Sequence, residues 1–355
     1  MPGTSQMPRT FFSVAIGLAA GCLLLAAAFC VFSLASPGWL RATLSGDEAD
    51  AGPIVPRPAP APTDRPKPPT PTPIPLPTVA GACGGPEQMT IALLGVDDRS
   101  ADYSRATRTD AISLVSVRFL AKSASLLSFP RDLYVPLPNL AGVGITQDRL
   151  NTAFLYGEVY EIPGGGPVEL KETIALNFGI RVDRYLLVNF GAFETAVDAL
   201  GGIDVDVPKE IYDPAYPTDD GTGSTFVLQI PAGLQHMDGQ TALRYARTRH
   251  QDDDYHRIQR QQLVMLAIRD KLLSPQVIPQ IPALISTLGA LVETDLSAAE
   301  IAALACIGPQ IDRSAISAQA IDGTMVIPWT TPTGGRVSIP NRDAIAPVVS
   351  VFLGQ

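Results

Sequence analysis

The sequence predicts an α/β domain with helices covering a central sheet. Short apolar runs of strand length end in Gly, Asp or Pro, segments with helical spacing alternate with them, and no internal repeat interrupts the series. Elements mixed in that order bury their apolar faces most simply by packing helices onto a sheet.

Thr90–Val96 (TIALLGV) has the continuous apolar character of a buried strand. Ala111–Val117 and Ala124–Phe129 read as two more strands, joined tightly around Ala121-Lys122. Val168–Leu176 has helical spacing, Tyr185–Val188 reads as a strand, and Phe193–Leu200 as a helix stopped by Gly201-Gly202. Ile203–Val207 alternates apolar and acidic residues, the pattern of a half-exposed strand. Ile211 to Ser224 is rich in Pro, Asp and Gly and reads as a long loop. Gln240–Arg247 and Tyr255–Leu273 are expected helices, the second with Val264, Ala267, Ile268 and Leu272 as its core-facing stripe. The tail from Leu284 to Gln355 shows two helical patterns around a strand-like Thr324–Ile327, and no linker divides it from what precedes.

Ahead of this domain, Phe11 to Leu34 carries no charged residue. At 1.5 Å per residue the run reaches roughly 36 Å, enough to cross a ~30 Å hydrocarbon core. It is longer than a cleaved signal peptide requires, so it reads as a transmembrane signal anchor behind a short cytoplasmic tail, residues 1–10. Arg9 before the span, and Asp47, Glu48 and Asp50 beside Arg41 after it, favour a cytoplasmic N-terminus and an extracytoplasmic domain. Residues 35–82 then form a linker, and Pro recurs at nearly every second position from Pro53 to Pro77. Such a stretch is expected to be an extended polyproline-like stalk, reaching up to roughly 80 Å at ~3.1 Å per residue. Cys22 and Cys30 fall in the apolar run, whereas Cys83 and Cys306 stand at opposite ends of the folded region, 83–355. Outside the cytoplasm that pair makes either one disulfide or two unpaired thiols.

Three clusters combine carboxylates with arginines in a chain of net charge −9. Asp97-Asp98-Arg99 and Arg108-Thr109-Asp110 lie after one strand and before the next, where two carboxylates can share a Mg²⁺ with phosphate oxygens. The plainer reading of the same residues is a polar turn with surface ion pairs. Arg131 follows the strand ending in Phe129; its planar fork suits a phosphate, or pairs with Asp132. Last, Arg244, Arg247, Arg249, Arg257 and Arg260 place five arginines within seventeen residues. Arg257, Arg260 and Gln261 share one helical face, while Arg247 and Arg249 diverge by about 200° unless the helix ends near Arg247. This group reads as a cradle for a polyanion, most simply a pyrophosphate, or as a solvated basic face. The histidines are His236, His250 and His256, with no Cys or third His near the last two to complete a zinc site.

Taken in order, LLGVDDR, RTDAISLVSV, LLSFPRDLYVPLP, RLNTAF, VDALGGIDVDVP, DGQTALRYARTR and DYHRIQRQQ resemble the LytR–CpsA–Psr family from about Thr90 to Leu273, with a looser continuation. The resemblance implies a three-layer α/β/α sandwich with a central mixed sheet and a hydrophobic pocket for a lipid tail. It also implies an extracytoplasmic phosphotransferase that moves an anionic glycopolymer from a polyprenyl-pyrophosphate carrier onto peptidoglycan, with Mg²⁺ (or Mn²⁺). By motif, Asp97 and Asp110 resemble the metal-binding carboxylates, with Asp98 open as the alternative to Asp97. Arg108, Arg131, Arg247, Arg249 and Arg257 resemble the pyrophosphate ligands, and Gln261 the neighbouring glutamine. Asp97, Asp110 and Arg131 are the expected catalytic residues, an aspartate accepting the acceptor hydroxyl's proton. Arg149 stands where the family commonly has Lys. A polyprenyl-pyrophosphate hydrolase would use the same arginines and metal with water as acceptor. A non-enzymatic polyanion-binding or regulatory role is the remaining class. A nucleic-acid partner is not expected, because the arginines lie beyond the anchor in an acidic chain.

Overall fold

The computed structural model describes residues 82–96, 107–218, 223–248, 254–277 and 292–355. The expected anchor at Phe11–Leu34 and the proline stalk lie outside them, and among the described residues no helix is long and apolar enough to cross a membrane. In chain order the strands are β1 (Gln88–Val96), β2 (Thr109–Arg118), β3 (Ser123–Phe129), β4 (Tyr134–Pro136), β5 (Gln147–Arg149), β6 (Arg184–Asn189), β7 (Ile203–Val207), β8 (Ile211–Pro217), β9 (Thr225–Ile230), β10 (Gly233–Met237), β11 (Val292–Thr294), β12 (Ile316–Ala320), β13 (Val326–Thr330) and β14 (Arg336–Pro340). The α-helices are α1 (Thr152–Val159), α2 (Gly165–Phe178), α3 (Phe190–Ala199), α4 (Gly239–Arg247), α5 (Asp254–Leu272), α6 (Ala298–Ile307) and α7 (Arg342–Leu353).

Six strands form the central mixed sheet in the order β11-β6-β1-β2-β3-β12. β1 runs parallel to β6 and β3 parallel to β12, while the β1–β2, β2–β3 and β6–β11 pairs are antiparallel. The unbroken apolar run of β1 has its explanation here: Met89 to Val96 are all buried, so both faces of the sheet are covered. The tight β2–β3 connection turns at Lys122, which takes a left-handed φ of 49°. α1 and α2 pack closely because Gly157 faces Gly165 and Gly166; a Cβ at Gly157 would lie 2.7 Å from the Gly165 carbonyl oxygen.

Two expectations need correction. Ile211 to Ser224 is not all loop, because Ile211–Pro217 pairs with β9 as a hairpin. The prolines hid an alternation in which Ile211, Asp213 and Tyr216 are buried and Tyr212 is exposed. Pro214 is tolerated because the register shifts between Asp213 and Tyr216, where a ladder amide is not needed. Among its described residues, 292–355, the tail holds two helices, α6 and α7, but four short strands rather than one. Of these, β11 and β12 extend both edges of the central sheet, while β13 and β14 pair as a separate hairpin.

Cys83 and Cys306 form a disulfide, with Cα atoms 5.6 Å apart. It joins the start of the described domain to α6 across 223 residues of sequence.

Candidate functional site

Strand direction gathers the chemistry. β1, β3 and β6 all end, and β2 begins, at one edge of the sheet, as the pairings Val96↔Thr109, Val96↔Asn189 and Ile112↔Phe129 require. Residues flanking those strand ends therefore converge even though they are distant in sequence. Asp110, Arg108 and Arg131 belong to this group. Asp97 and Arg249 lie outside the described residues.

Asp110 is the buried centre of the edge, 8% exposed. Arg131 Nη1 donates to its Oδ1 at 2.9 Å and Asn151 Nδ2 donates to the same oxygen at 3.1 Å. The backbone fixes the same triangle: Asn151 N–H donates to the Arg131 carbonyl at 3.1 Å, and Thr109 N–H to the Asn151 carbonyl at 3.3 Å. Arg131 thus pairs with Asp110 rather than with its neighbour Asp132, which accepts instead from Ser338 Oγ at 2.9 Å. Arg131 remains partly exposed, with 26% of its side chain open to solvent.

The second wall comes from α4 and α5. α4 ends at Arg247, as two site-facing arginines would require, and Thr248 caps it. Arg244 and Arg247 in the last turn also complement the negative end of the helix dipole. The Arg247 guanidinium carbon sits 4.4 Å over the Phe190 ring and 6.0 Å from that of Tyr216. Phe190 opens α3 directly after β6, which puts Arg247 at the same sheet edge as Asp110. Thr248 then ties three elements together. Its hydroxyl donates to the buried Asp213 of β8 at 2.7 Å, and its carbonyl accepts from Arg260 of α5. Arg257, Arg260 and Gln261 are 1%, 5% and 7% exposed, so the face they share turns inward rather than into solvent. Among the described residues the Gln261 amide nitrogen has no hydrogen-bond acceptor. A buried donor in that state suits an anionic guest.

Arg108 is exposed ahead of β2. Its charge reaches the Tyr156 hydroxyl, which donates to Asp148 Oδ2 at 2.7 Å. Burial first, then the bond to Asp148, push that hydroxyl up to about 12 while Arg108 pulls the other way, so Tyr156 stays a neutral donor at physiological pH.

One turn beyond Gln261 the character of α5 changes. Gln262, Met265, Leu266 and Arg269 line an apolar cavity of about 140 Å³ against β2, β3, β12 and α6. Leu126, Ile316, Leu304 and Ile307 supply much of its wall. The same helix therefore carries buried cationic and amide groups in its first turns and a greasy recess farther along.

Asn151, Thr248 and Asp213 hold the site residues without belonging to the predicted set. Asn151 stands inside the RLNTAF stretch and Thr248 inside DGQTALRYARTR, whereas Asp213 lies in none of the quoted motifs.

Comparison with known proteins places the chain among relatives. Residues 79–338 match the model of the LytR_cpsA_psr family. The chain is 34% identical over 215 residues to the polyisoprenyl-teichoic acid–peptidoglycan teichoic acid transferase TagT of Bacillus subtilis, covering 60% of this chain and 62% of that protein. It is 27% identical over 212 residues to the regulatory protein MsrR of Staphylococcus aureus, covering 59% and 57%. The chain thus spans less than two thirds of the length of these relatives. The crystal structure of B. subtilis TagV superposes with a TM-score of 0.59 at 25% identity, covering 76% of this chain and 98% of TagV. A structure of TagT bound to LIIa-WTA gives 0.56 at 27%, covering 76% and 92%. With its mixed central sheet and a family match over most of its length, the chain belongs to the LytR-CpsA-Psr family.

Proposed function

We propose that this protein is a phosphotransferase that moves an anionic glycopolymer from a polyprenyl-pyrophosphate carrier onto peptidoglycan. One observation carries the reading. The arginine-rich sheet edge around Asp110 and the apolar cavity are joined by a single helix, α5, which suits a guest with an anionic head and a hydrocarbon tail. The transferase name of TagT, and the TagT structure bound to LIIa-WTA, support it.

In this mechanism Arg131, Arg247 and Arg257, together with Arg108 and Arg249, neutralise the pyrophosphate and its leaving oxygens. Phosphoryl transfer needs little from a protein beyond positioning and such charge stabilisation. Gln261 donates to a phosphate oxygen. The cavity, toward the other end of β2 and β3, takes carrier tail farther from the head, while the arginines hold the reacting phosphorus at Asp110. Asp110, or Asp97, accepts the proton as the acceptor hydroxyl attacks. The P–O bond to the carrier phosphate then breaks, releasing polyprenyl phosphate and leaving the glycopolymer joined to the glycan through a phosphodiester.

A divalent cation fits the donor set. Both protein donors to Asp110 reach Oδ1, which suits ligation through the other oxygen. Among the described residues there is no group of three or more His, Cys, Asp or Glu that could hold a metal. A cation here would use one or two carboxylates, Asp110 with Asp97, and complete its shell from phosphate and water, as Mg²⁺ does. When bound, it would neutralise charge on the phosphate oxygens.

The same proposal places the domain outside the cytoplasm, behind the anchor and stalk read from the sequence, with the helices and sheet as a three-layer sandwich. The Cys83–Cys306 disulfide supports an oxidising compartment. The deciding experiment incubates the full-length protein with a polyprenyl-pyrophosphate-linked glycopolymer and peptidoglycan, with and without EDTA. A covalent glycopolymer–glycan product is expected, lost on chelation. Free phosphate alone would make the protein a hydrolase instead.

A further inference from the structure

The β13–β14 hairpin is a part of the fold that neither the pyrophosphate site nor the cavity uses. It is fastened to the site at three points. Ser338 N–H donates to the Asp132 carbonyl at 3.0 Å and Ser338 Oγ to the Asp132 carboxylate at 2.9 Å, one residue beyond Arg131. Arg149 Nη2 donates to the Arg336 carbonyl at 3.0 Å, two residues before Asn151. Third, Trp329 packs on Tyr134, with ring centroids 5.6 Å apart and planes inclined by 50°. The segments that hold Asp110 in place are therefore the segments that hold this hairpin.

One face of the hairpin leaves large apolar side chains partly open to solvent. Trp329 is 42% exposed and Ile327, two residues before it on the same face, 57%. Val337, the register partner of Trp329, shares that face and is buried, while the indole, packed on Tyr134 at one side, still leaves part of its ring open to solvent. A part-exposed indole inclined against the half-buried ring of Tyr134 has the chemistry that recognises sugars, the C–H face of a pyranose lying on the open ring face.

We propose that Trp329 and Tyr134 form a subsite for the acceptor glycan, a β-1,4-linked N-acetylhexosamine strand whose rings stack on the aromatic pair and whose acetyl methyl meets Ile327. The assignment rests on the transferase reading above and specifies how the second substrate reaches Asp110. The occupant is the acceptor rather than the donor because the donor's tail has its place in the cavity along α5. The hairpin instead stands beside the Arg131 segment, tied to Asp132 and Arg149, where a hydroxyl must arrive from solvent.

The chain contains two tryptophans, Trp39 and Trp329, so a Trp39→Phe background leaves Trp329 as the sole indole. Titrating that full-length protein with a β-1,4-linked N-acetylglucosamine pentamer should give a saturable change in tryptophan emission, weakened by Tyr134→Ala. In the transfer assay Trp329→Leu, which keeps apolar bulk but removes the ring face, should raise the acceptor KM on the order of tenfold while kcat and donor KM stay within about twofold. Trp329→Leu also loses the ring contact with Tyr134, so a modest drop in its melting temperature is expected and its retained kcat and donor KM report the intact site; Trp329→Phe should retain most of the affinity. An unchanged emission, an unchanged acceptor KM, or a rise in donor KM instead would overturn the subsite. If the wild type itself makes no covalent product, the transferase reading falls; if it transfers and Trp329→Leu matches it, the subsite alone falls.

Discussion

Arg131 and Asp110 come from different strand ends, 21 residues apart, yet Arg131 Nη1 lies 2.9 Å from Asp110 Oδ1. The pair is asymmetric in exposure, with 10% of the Asp110 side chain and 26% of the Arg131 side chain open to solvent. Arg131 can therefore face a ligand while holding the carboxylate. Asp110→Asn should lower transfer by about 10²–10⁴-fold, the range for a positioned proton acceptor. Arg131→Ala should cost about 10²–10³-fold through lost charge stabilisation. Because each residue orients the other, the double variant should be less impaired than the product of the two singles. Initial rates of product formation measure all three, and a rate for Asp110→Asn within about threefold of wild type would remove Asp110 from the chemistry.

Thr248 links α4 to both α5 and β8 by holding Asp213 with its hydroxyl and Arg260 with its carbonyl. Thr248→Val is nearly isosteric and keeps the carbonyl, so it isolates the bond to Asp213. A buried carboxylate deprived of a donor should cost about 1–3 kcal/mol of stability. Loosening the end of α4 should also displace Arg247 and slow transfer by roughly tenfold, since small misplacements are expensive in positioned reactions. Thr248→Ser should restore both. Denaturant melts alongside rates separate the two effects, and a Thr248→Val enzyme of wild-type rate and reduced stability would leave the residue a purely structural role.

How much of this was readable from residues alone depends on the range of the interaction. Asp110, Arg131 and Arg247 could be nominated individually because each flanks an apolar run, and strand ends are where a sheet presents side chains to a ligand. The pairing of Arg131 with Asp110 was not readable, since Asp132 is the nearer partner in sequence and only the β2–β3 register brings Arg131 across. Asn151, Thr248 and Asp213 act solely through contacts between distant segments and leave no periodic signature. β8 was hidden for a local reason, its prolines reading as breakers where the ladder in fact contains a bulge. Short strands such as β11 and β12 are set by the edges they complete rather than by their own sequence.

Asp238 caps α4, accepting from Thr241 N–H at 2.7 Å. The bonds to Thr241 hold its carboxyl below the usual aspartate range. A carboxyl lowered in the folded state contributes stability that is present above its unfolded pKa and is lost as pH falls through the folded one. Asp238→Ala should therefore cost about 0.5–2 kcal/mol near neutral pH, the usual worth of an N-cap. That cost should shrink as the solution is acidified below the ordinary aspartate range. Asp238→Asn, which caps without titrating, should lie near wild type at neutral pH. Thermal melts across pH give the comparison, and a penalty for Asp238→Ala that does not change with pH would show that the charge is not what the cap uses.

The Cys83–Cys306 bridge closes a loop of 223 residues and fastens α6, which also supplies Leu304 and Ile307 to the apolar cavity. Its stabilising effect comes mainly from restricting the unfolded chain, so Cys83→Ser or Cys306→Ser should lower stability by about 2–5 kcal/mol. The two singles and the double should be nearly equal, because the first substitution already removes the bond. Reductant should lower the melting temperature of the wild type and leave the double variant unchanged. Releasing α6 also frees one wall of the cavity, so the double variant should lose affinity for the lipid-linked donor more than for the acceptor. A wild-type melt indifferent to reductant, with both thiols then shown to be alkylated under native conditions, would mean that the bridge does not constrain this fold.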